Sequence, residues 1–279
     1  MYDRDMSTIL LVDNGSTRKE STLNLRRLAR ELGSRIGREV HPVSLMHSDK
    51  IPASELDNQP AQTFETFMRQ RLGKGEREFI ILPLFFGKSR ALTQFIPDQV
   101  AALKKEFATF TVKVAEALCP LPKGESRLTG ILFDNVTSTA RAEGIAMDHV
   151  ILVDHGSPIP EVTAVRKFIA SQLQEQLGPD IGFSQAVMER RAGREYDFNG
   201  DLLEDTLSDL ARRNASQTII LAMMFFSPGR HAGPGGDIED IYRRIETEHP
   251  GLRVYPTPLI GTHPELIDIL QSRLEAVRA

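Results

Sequence analysis

The chain has 279 residues, of which 41% are hydrophobic and 26% are charged, and its formal net charge is −4. This composition is typical of a soluble globular protein of one or two domains, and the slightly acidic balance gives no indication of a nucleic-acid partner. Because Cys119 is the only cysteine, an internal disulfide and a cysteine-based zinc or iron–sulfur site are excluded.

The amino-terminal segment contains only a short apolar run, which ends at Asp13. It lacks the basic region and the stretch of about 7–15 apolar residues that define a secretory signal. No other run approaches the roughly 18 apolar residues that a membrane-spanning helix needs. We therefore expect a cytoplasmic protein without a membrane partner.

Two strand-like segments of the sequence recur at a nearly constant spacing. Residues 9–16 (ILLVDNGS) reappear as residues 150–157 (VILVDHGS). Residues 79–86 (FIILPLFF) are matched in the same way by residues 218–226 (TIILAMMFF). Two matched segments in the same order indicate a tandem duplication of one unit.

Each half of the chain shows the same alternation of strands and helices. Near-continuous apolar runs predict buried strands, and apolar residues at helical spacing predict the helices between them. The alternation predicts an α/β fold with two tandem lobes, each a parallel sheet with helices on both faces. In chain order, the predicted strands are 9–12, 39–45, 79–85, 110–116, 150–153, 182–188, 217–224 and 252–256, and the later helices of the halves are 60–72, 96–107, 201–213 and 237–247.

The connection between the halves opens with the segment PLPKGES at residues 120–126. A helical pattern near 127–142 follows, and we assign this helix to the first half. The sequence thus predicts two domains, residues 1–145 and residues 146–279. Since a covalent duplication supplies both lobes in one chain, it is consistent with a monomer.

Three side chains of the second half are predicted to form a metal site. His155 and His231 lie in the loops after its first and third strands, and Glu189 follows its second strand. Ligands of open parallel sheets bind beside the carboxyl ends of the strands, where these loops meet. Two imidazoles and a carboxylate suit a borderline divalent ion. Taken singly, each residue is more typical of a hydrogen-bonding or solvated loop position than of a metal ligand, so the prediction depends on all three lying together.

The first half lacks these ligands. Asn14 and Ala91 stand at the positions of the two histidines, and about His47 at that of the glutamate. Asp13 is retained as the counterpart of Asp154, which indicates that these aspartates shape the loop rather than the chemistry. The first lobe is therefore predicted to support the fold without holding a metal ion.

These motifs resemble those of the class II tetrapyrrole chelatases. The pattern is an apolar strand followed by His-Gly-Ser, and a later strand followed by Pro-Gly-x-His and then Asp-Ile. It is most similar to the sirohydrochlorin cobaltochelatases and ferrochelatases in their long, two-unit form. In that family the corresponding residues, here His155, His231 and Glu189, form the metal and catalytic site. The chain departs from the pattern by about two extra residues before Asp237.

The resemblance implies a lyase of the chelatase type, which inserts Co²⁺ or Fe²⁺ into a sirohydrochlorin-type tetrapyrrole in cobalamin or sirohaem synthesis. The sequence lacks a glycine-rich phosphate-binding loop, so no nucleotide is expected. Lys88, Arg90 and Arg230 are expected to pair with carboxylates of the macrocycle, the alternative being solvated loop charges.

Two other interpretations remain open from the sequence. One is a non-catalytic metal- or tetrapyrrole-binding protein, such as a carrier, derived from the same fold. It would show stoichiometric binding without a metallated product. The other is a two-lobe solute receptor, which the missing export signal weakens.

Overall fold

The computed structural model describes residues 7–107 and 109–278. The strands are β1 (Thr8–Asp13), β2 (Val40–Ser44), β3 (Glu78–Pro83), β4 (Thr111–Val114), β5 (His149–Asp154), β6 (Gly182–Val187), β7 (Thr218–Met223) and β8 (Arg253–Pro256). The helices are α1 (Lys19–Ile36), α2 (Phe64–Gly73), α3 (Ile96–Glu106), α4 (Ser126–Glu143), α5 (Pro160–Leu177), α6 (Leu203–Arg213), α7 (Asp237–Glu248) and α8 (Glu265–Arg278).

The strands form two parallel sheets with the same topology, in the orders β2-β1-β3-β4 and β6-β5-β7-β8. In each sheet the first strand of the repeat lies between the second and the third. The apolar residues of β1 and β5 are fully buried on both faces, as parallel sheets require. The predicted fold class is confirmed.

The helices cover these sheets through alternate side chains of the strands. In the second sheet, Ile151 and Val153 pack in one cluster with Leu203 of α6 and Ile238 of α7. The first sheet repeats this arrangement with α2 and α3. Because successive strand residues point to opposite faces, the intervening residues are left for the other helices, and α4 packs against α5 and β7.

The compact units of the structure differ from the sequence halves by an exchange of helices. The described residues up to Pro120, together with those from Ile267 onward, form the first unit, and Leu121–Leu266 form the second. In the first unit, the Arg273 guanidinium of α8 donates to the carbonyl of Leu118 at 3.0 Å. In the second, Leu128 and Leu132 of α4 are fully buried.

The predicted boundary at 145/146 gave the helix near 127–142 to the first lobe. The compact units of the structure instead place this helix, α4, in the second unit. An apolar stripe predicts that a helix packs against something, but not against which sheet. Among the described residues, none of the helices has the length and apolar character to cross a bilayer.

Candidate metal centre

The structure brings together the three predicted metal ligands at the carboxyl end of the second sheet. One nitrogen from each of His155 and His231 and one carboxylate oxygen of Glu189 all lie within 4.8 Å of one another. Nε2 of His231 is 3.3 Å from Oε1 of Glu189. The two imidazole rings are 4.8 Å apart between centroids and inclined at 70°. Their strands β6, β5 and β7 are neighbours in the sheet, which explains the convergence.

Backbone contacts fix the loop after β5 against the loop after β6. The Glu189 N–H donates to the carbonyl of His155 at 3.0 Å. Gly156 has a φ of +86°, and a Cβ atom there would lie 2.0 Å from the Glu189 carbonyl oxygen. Only glycine fits this approach, so Gly156 is what allows Glu189 to lie beside His155.

A network of buried polar side chains holds the loop after β5. The carboxylate of Asp154 accepts from the Gly156 N–H at 3.1 Å. Burial raises the pKa of Asp154, and the nearby Arg166 guanidinium acts in the opposite direction. Arg166 also donates to the carbonyl of Asn199 at 2.6 Å, and the Asn199 side chain accepts from the Ser157 N–H at 3.0 Å. Asp154 thus shapes the loop, as the sequence predicted.

The second histidine is the buried member of the group. His231 is 7% exposed, whereas Glu189 and His155 are exposed. Nδ1 of His231 lies 2.8 Å from Oδ2 of Asp237, and Nδ1 of His155 lies 3.2 Å from the carbonyl oxygen of Gly156. With Nδ1 of each ring beside an oxygen, Nε2 is the nitrogen left for an ion.

Sequence reasoning gave no role to Asp237. It noted this residue only as part of the Asp-Ile pattern. An aspartate at the first position of a helix is also common for electrostatic reasons. Its type and position alone therefore do not distinguish a helix-terminal charge from a hydrogen-bond partner of His231.

Arg230 lies against the carboxylates of the site. Its Nη1 is 3.5 Å from Oε1 of Glu189, and its Nε is 3.3 Å from Oδ2 of Asp237. The side chain is 76% exposed. The guanidinium therefore balances two negative charges beside the site and still faces solvent.

The expanded loop after His231 folds back onto that residue. Gly233 and Gly235 have φ values of +96° and +69°, which suit tight turns. A Cβ atom at Gly236 would lie 2.7 Å from the His231 carbonyl oxygen, and the Ile238 N–H donates to that oxygen at 3.1 Å. The extra residues thus form turns between His231 and Asp237, and α7 still begins next to His231.

The first unit repeats the loop geometry with other side chains. The Met46 N–H donates to the carbonyl of Asn14 at 3.2 Å, as that of Glu189 does to His155. The residue that matches Glu189 is therefore Met46, and the assignment of about His47 is wrong by one position. Which residues of the two loops correspond is decided by the strand register, in which Ser44 takes the place of Val187. Similarity of the flanking sequence leaves this correspondence open by one residue.

The counterparts of the metal ligands line a cavity of about 340 Å³ in the first unit. Asn14, Met46 and Ala91 contribute to it, together with Arg90. Lys88 is exposed two residues earlier in the same loop. Of the three predicted basic residues, Arg230 lies beside the candidate metal site of the second unit, and Arg90 lies at the corresponding place in the first.

Comparison with known proteins identifies the family. The CbiX family model matches residues 8–124 and again residues 149–277. The chain belongs to the CbiX family, in a form that contains two copies of the unit. No curated protein matches the sequence.

Solved structures share the fold over nearly the whole chain. SirB from Bacillus subtilis with Fe³⁺ has a TM-score of 0.69 and 16% identity, covering 98% of this chain and 96% of that one. The sirohydrochlorin chelatase SirB from Bacillus subtilis subspecies spizizenii in complex with cobalt has a TM-score of 0.67 and 15% identity, with coverages of 97% and 94%. CbiX, described as the terminal enzyme for sirohaem biosynthesis in denitrifying bacteria, has a TM-score of 0.61 and 14% identity, with coverages of 96% and 98%.

Proposed function

We propose that the protein is a sirohydrochlorin-type chelatase, which inserts Co²⁺ or Fe²⁺ into a tetrapyrrole without a nucleotide. The observation that carries this proposal is the convergence of His155, His231 and Glu189, within 4.8 Å of one another, in a chain of the CbiX family. The metal ion is a substrate in this reaction, so the site has to bind it and then give it up.

The ligand set is suited to such a transfer. Neutral imidazoles and a carboxylate bind Co²⁺ and Fe²⁺, and three protein ligands leave coordination positions open for exchange. Two of the three side chains, His155 and Glu189, are exposed, so the bound ion is accessible to ring nitrogens. The buried His231 is the more rigid ligand of the three.

Metal insertion also releases two pyrrole N–H protons. The ion forms bonds to the ring nitrogens as these protons leave, so acceptors near the ion assist the step. His155 and Glu189 are exposed, and imidazole and carboxylate groups are both proton acceptors, so either is suited to accept a proton as its bond to the ion is released. His231 is held between Glu189 and Asp237 and is proposed to remain a ligand.

Basic side chains are proposed to recognise the substrate, because a sirohydrochlorin-type macrocycle carries several carboxylates. Arg230 faces solvent beside the metal site, and Arg90 lines the corresponding cavity in the first unit. Lys88 lies in the same loop as Arg90. Guanidinium groups bind carboxylates through paired hydrogen bonds, which favours the two arginines as the stronger contacts.

The test is an absorbance assay with sirohydrochlorin and Co²⁺ or Fe²⁺ in turn. The wild-type protein is expected to yield many equivalents of metallated product per chain. His155→Ala and His231→Ala are expected to lower the rate at least about 100-fold, since each removes a metal ligand. Asn14→Ala, the matched change in the first unit, is expected to leave the rate unchanged.

Two results would contradict the proposal. If both histidine variants insert cobalt at the wild-type rate, the site is assigned wrongly. If the wild-type protein binds one equivalent of metal or tetrapyrrole and forms no metallated product, it is a carrier rather than an enzyme.

A further inference from the structure

Asp237 contacts the imidazole of His231 at the nitrogen that does not face the proposed metal position. Its Oδ2 lies 2.8 Å from Nδ1, whereas Nε2 lies 3.3 Å from Oε1 of Glu189. We infer that Asp237 is a positioning residue, which holds the proton of His231 on Nδ1 and so leaves the Nε2 lone pair for the metal ion. This inference deepens the proposed function and rests on it.

The chemistry of the imidazole requires such a partner. A neutral imidazole carries one proton, and only the nitrogen without it can bind a metal ion. In isolation the ring favours the proton on Nε2, which is the nitrogen that faces Glu189 here. A carboxylate accepts a hydrogen bond but cannot donate one, and the contact of Asp237 at Nδ1 (2.8 Å) is shorter than that of Glu189 at Nε2 (3.3 Å), so it favours the proton on Nδ1. The same contact raises the basicity of the ligand nitrogen.

Burial makes the orientation of the ring depend on protein groups. His231 is 7% exposed, so solvent is not readily available to replace a lost partner at Nδ1. The His231 ring thus has Asp237 beside Nδ1 and Glu189 beside Nε2.

Asp237 is in turn held by its surroundings. The Arg230 Nε lies 3.3 Å from the same carboxylate oxygen that contacts His231. Asp237 is also the first residue of α7, where the helix dipole favours negative charge. Both interactions hold the Asp237 carboxylate in place beside Nδ1 of His231.

The position on the helix does not by itself explain the contact, because other acidic residues share the first turn of α7. Glu239 accepts from the Gly235 N–H and pairs with Arg243. Asp240 is exposed. In the first unit the residue before Ile96 is Phe95, and the Ile96 N–H donates to the carbonyl of Ala91 just as Ile238 donates to His231. The aspartate is thus present in the unit with the histidine and replaced in the unit without it.

The first experiment measures Co²⁺ affinity by visible absorption for the full chain and two matched variants. Asp237→Ala is expected to weaken Co²⁺ binding about 10- to 100-fold, the usual effect of removing the carboxylate behind a metal-binding histidine. Asp240→Ala removes the same charge from the same turn and is expected to bind Co²⁺ within about twofold of the wild type. Equal affinities for Asp237→Ala and the wild type would overturn the inference.

The second experiment reads the proton directly by ¹⁵N NMR of the imidazoles, with Zn²⁺ as a diamagnetic probe. In the wild-type protein, His231 is expected to carry its proton on Nδ1 and the metal ion on Nε2, and the signal is assigned by its loss in His231→Ala. A proton on Nε2 with the metal ion on Nδ1 would overturn the inference whatever the affinities.

These measurements separate the inference from the proposal beneath it. If His231→Ala loses Co²⁺ binding and Asp237→Ala does not, the metal site stands and the role of Asp237 is wrong. If His155→Ala and His231→Ala both bind Co²⁺ like the wild type, the metal site itself is wrong.

Discussion

The two units of this protein keep the same loop backbone and carry different side chains on it. Gly15 and Gly156 both have a φ of +86°, and a Cβ atom at either would lie within 2.0 Å of a carbonyl oxygen of the next loop. That oxygen belongs to Met46 in the first unit and to Glu189 in the second. The loop geometry is thus set by glycine and backbone hydrogen bonds, not by metal ligands. The first unit therefore keeps the same loop fold although it carries other side chains at the candidate ligand positions.

The units also differ in what lies behind these loops. In the second unit the buried Asp154 has the Arg166 guanidinium nearby, with Nε and Oδ1 3.7 Å apart. Leu25 occupies the position of Arg166 in the first unit, and burial raises the pKa of Asp13 to about 6. Burial thus raises the pKa of this carboxyl in both units, and in the second unit the Arg166 guanidinium opposes the effect.

The strongest test of this comparison transfers the metal ligands to the first unit. Asn14→His, Met46→Glu and Ala91→His, made together in a His231→Ala background, should create a Co²⁺ site where the parent has none. The cavity of about 340 Å³ at these positions has room for the new side chains. The new site is expected to be about 10- to 100-fold weaker than the native one, because Phe95 replaces the aspartate behind the second histidine.

Co²⁺ titration of the transferred site gives a clear answer. One equivalent bound with the absorption spectrum of a nitrogen–oxygen site confirms that the two loop backbones are equivalent. A triple variant that folds normally and binds no Co²⁺ would show that they are not.

The paired glycines offer a second test, with a smaller expected effect. Gly15→Ala and Gly156→Ala should each destabilise the protein by about 3 kcal/mol, because alanine is strained at this φ and its Cβ meets backbone. Urea unfolding measures this loss. Only Gly156→Ala should also weaken Co²⁺ binding, since it displaces Glu189. Equal loss of Co²⁺ binding in both variants would contradict the assignment of the site to the second unit.

The smallest effect concerns the buried carboxyl of Asp13. Its pKa of about 6 in the native protein lies above the ordinary value of 3.8, so the native state binds more protons than the unfolded chain between these pH values. Its stabilising contribution is therefore full at low pH and is lost as the pH rises through about 6. Relative to the wild type, Asp13→Asn should gain about 2–3 kcal/mol of stability between about pH 4 and pH 7.

Urea unfolding at several pH values measures this difference. Asp98→Asn, which changes an exposed carboxylate of the same unit, is the matched control. A difference between Asp13→Asn and the wild type that is constant over this pH range would show that Asp13 ionises alike in the native and unfolded states.

Much of the fold and the convergence of the three candidate ligands could be predicted from the sequence, because both follow from local patterns and one rule of topology. Apolar runs identified the strands. The order of the strands in parallel α/β sheets then placed the residues that follow them, His155, Glu189 and His231, at one edge. Each step used information that lies within a few residues of the position concerned.

What the sequence did not predict depends on contacts between distant or flexible segments. The neighbour of the helix near 127–142 is decided by which sheet its apolar face covers. Met46, rather than His47, corresponds to Glu189 because of a strand register that sequence similarity left open by one residue. The contact between Asp237 and His231 depends on how a glycine-rich loop of five residues turns back on itself, which residue types alone do not specify.

The exchange of α4 and α8 bears on whether a single repeat can be stable alone. Each repeat of the sequence ends in a helix that belongs to the compact unit built mainly from the other repeat. A single repeat on its own would thus present an apolar helix with no sheet to cover and a sheet without one of its helices. Two separate copies of one repeat would complete each other by exchanging these helices, so a single repeat is expected to be stable only as a domain-swapped dimer.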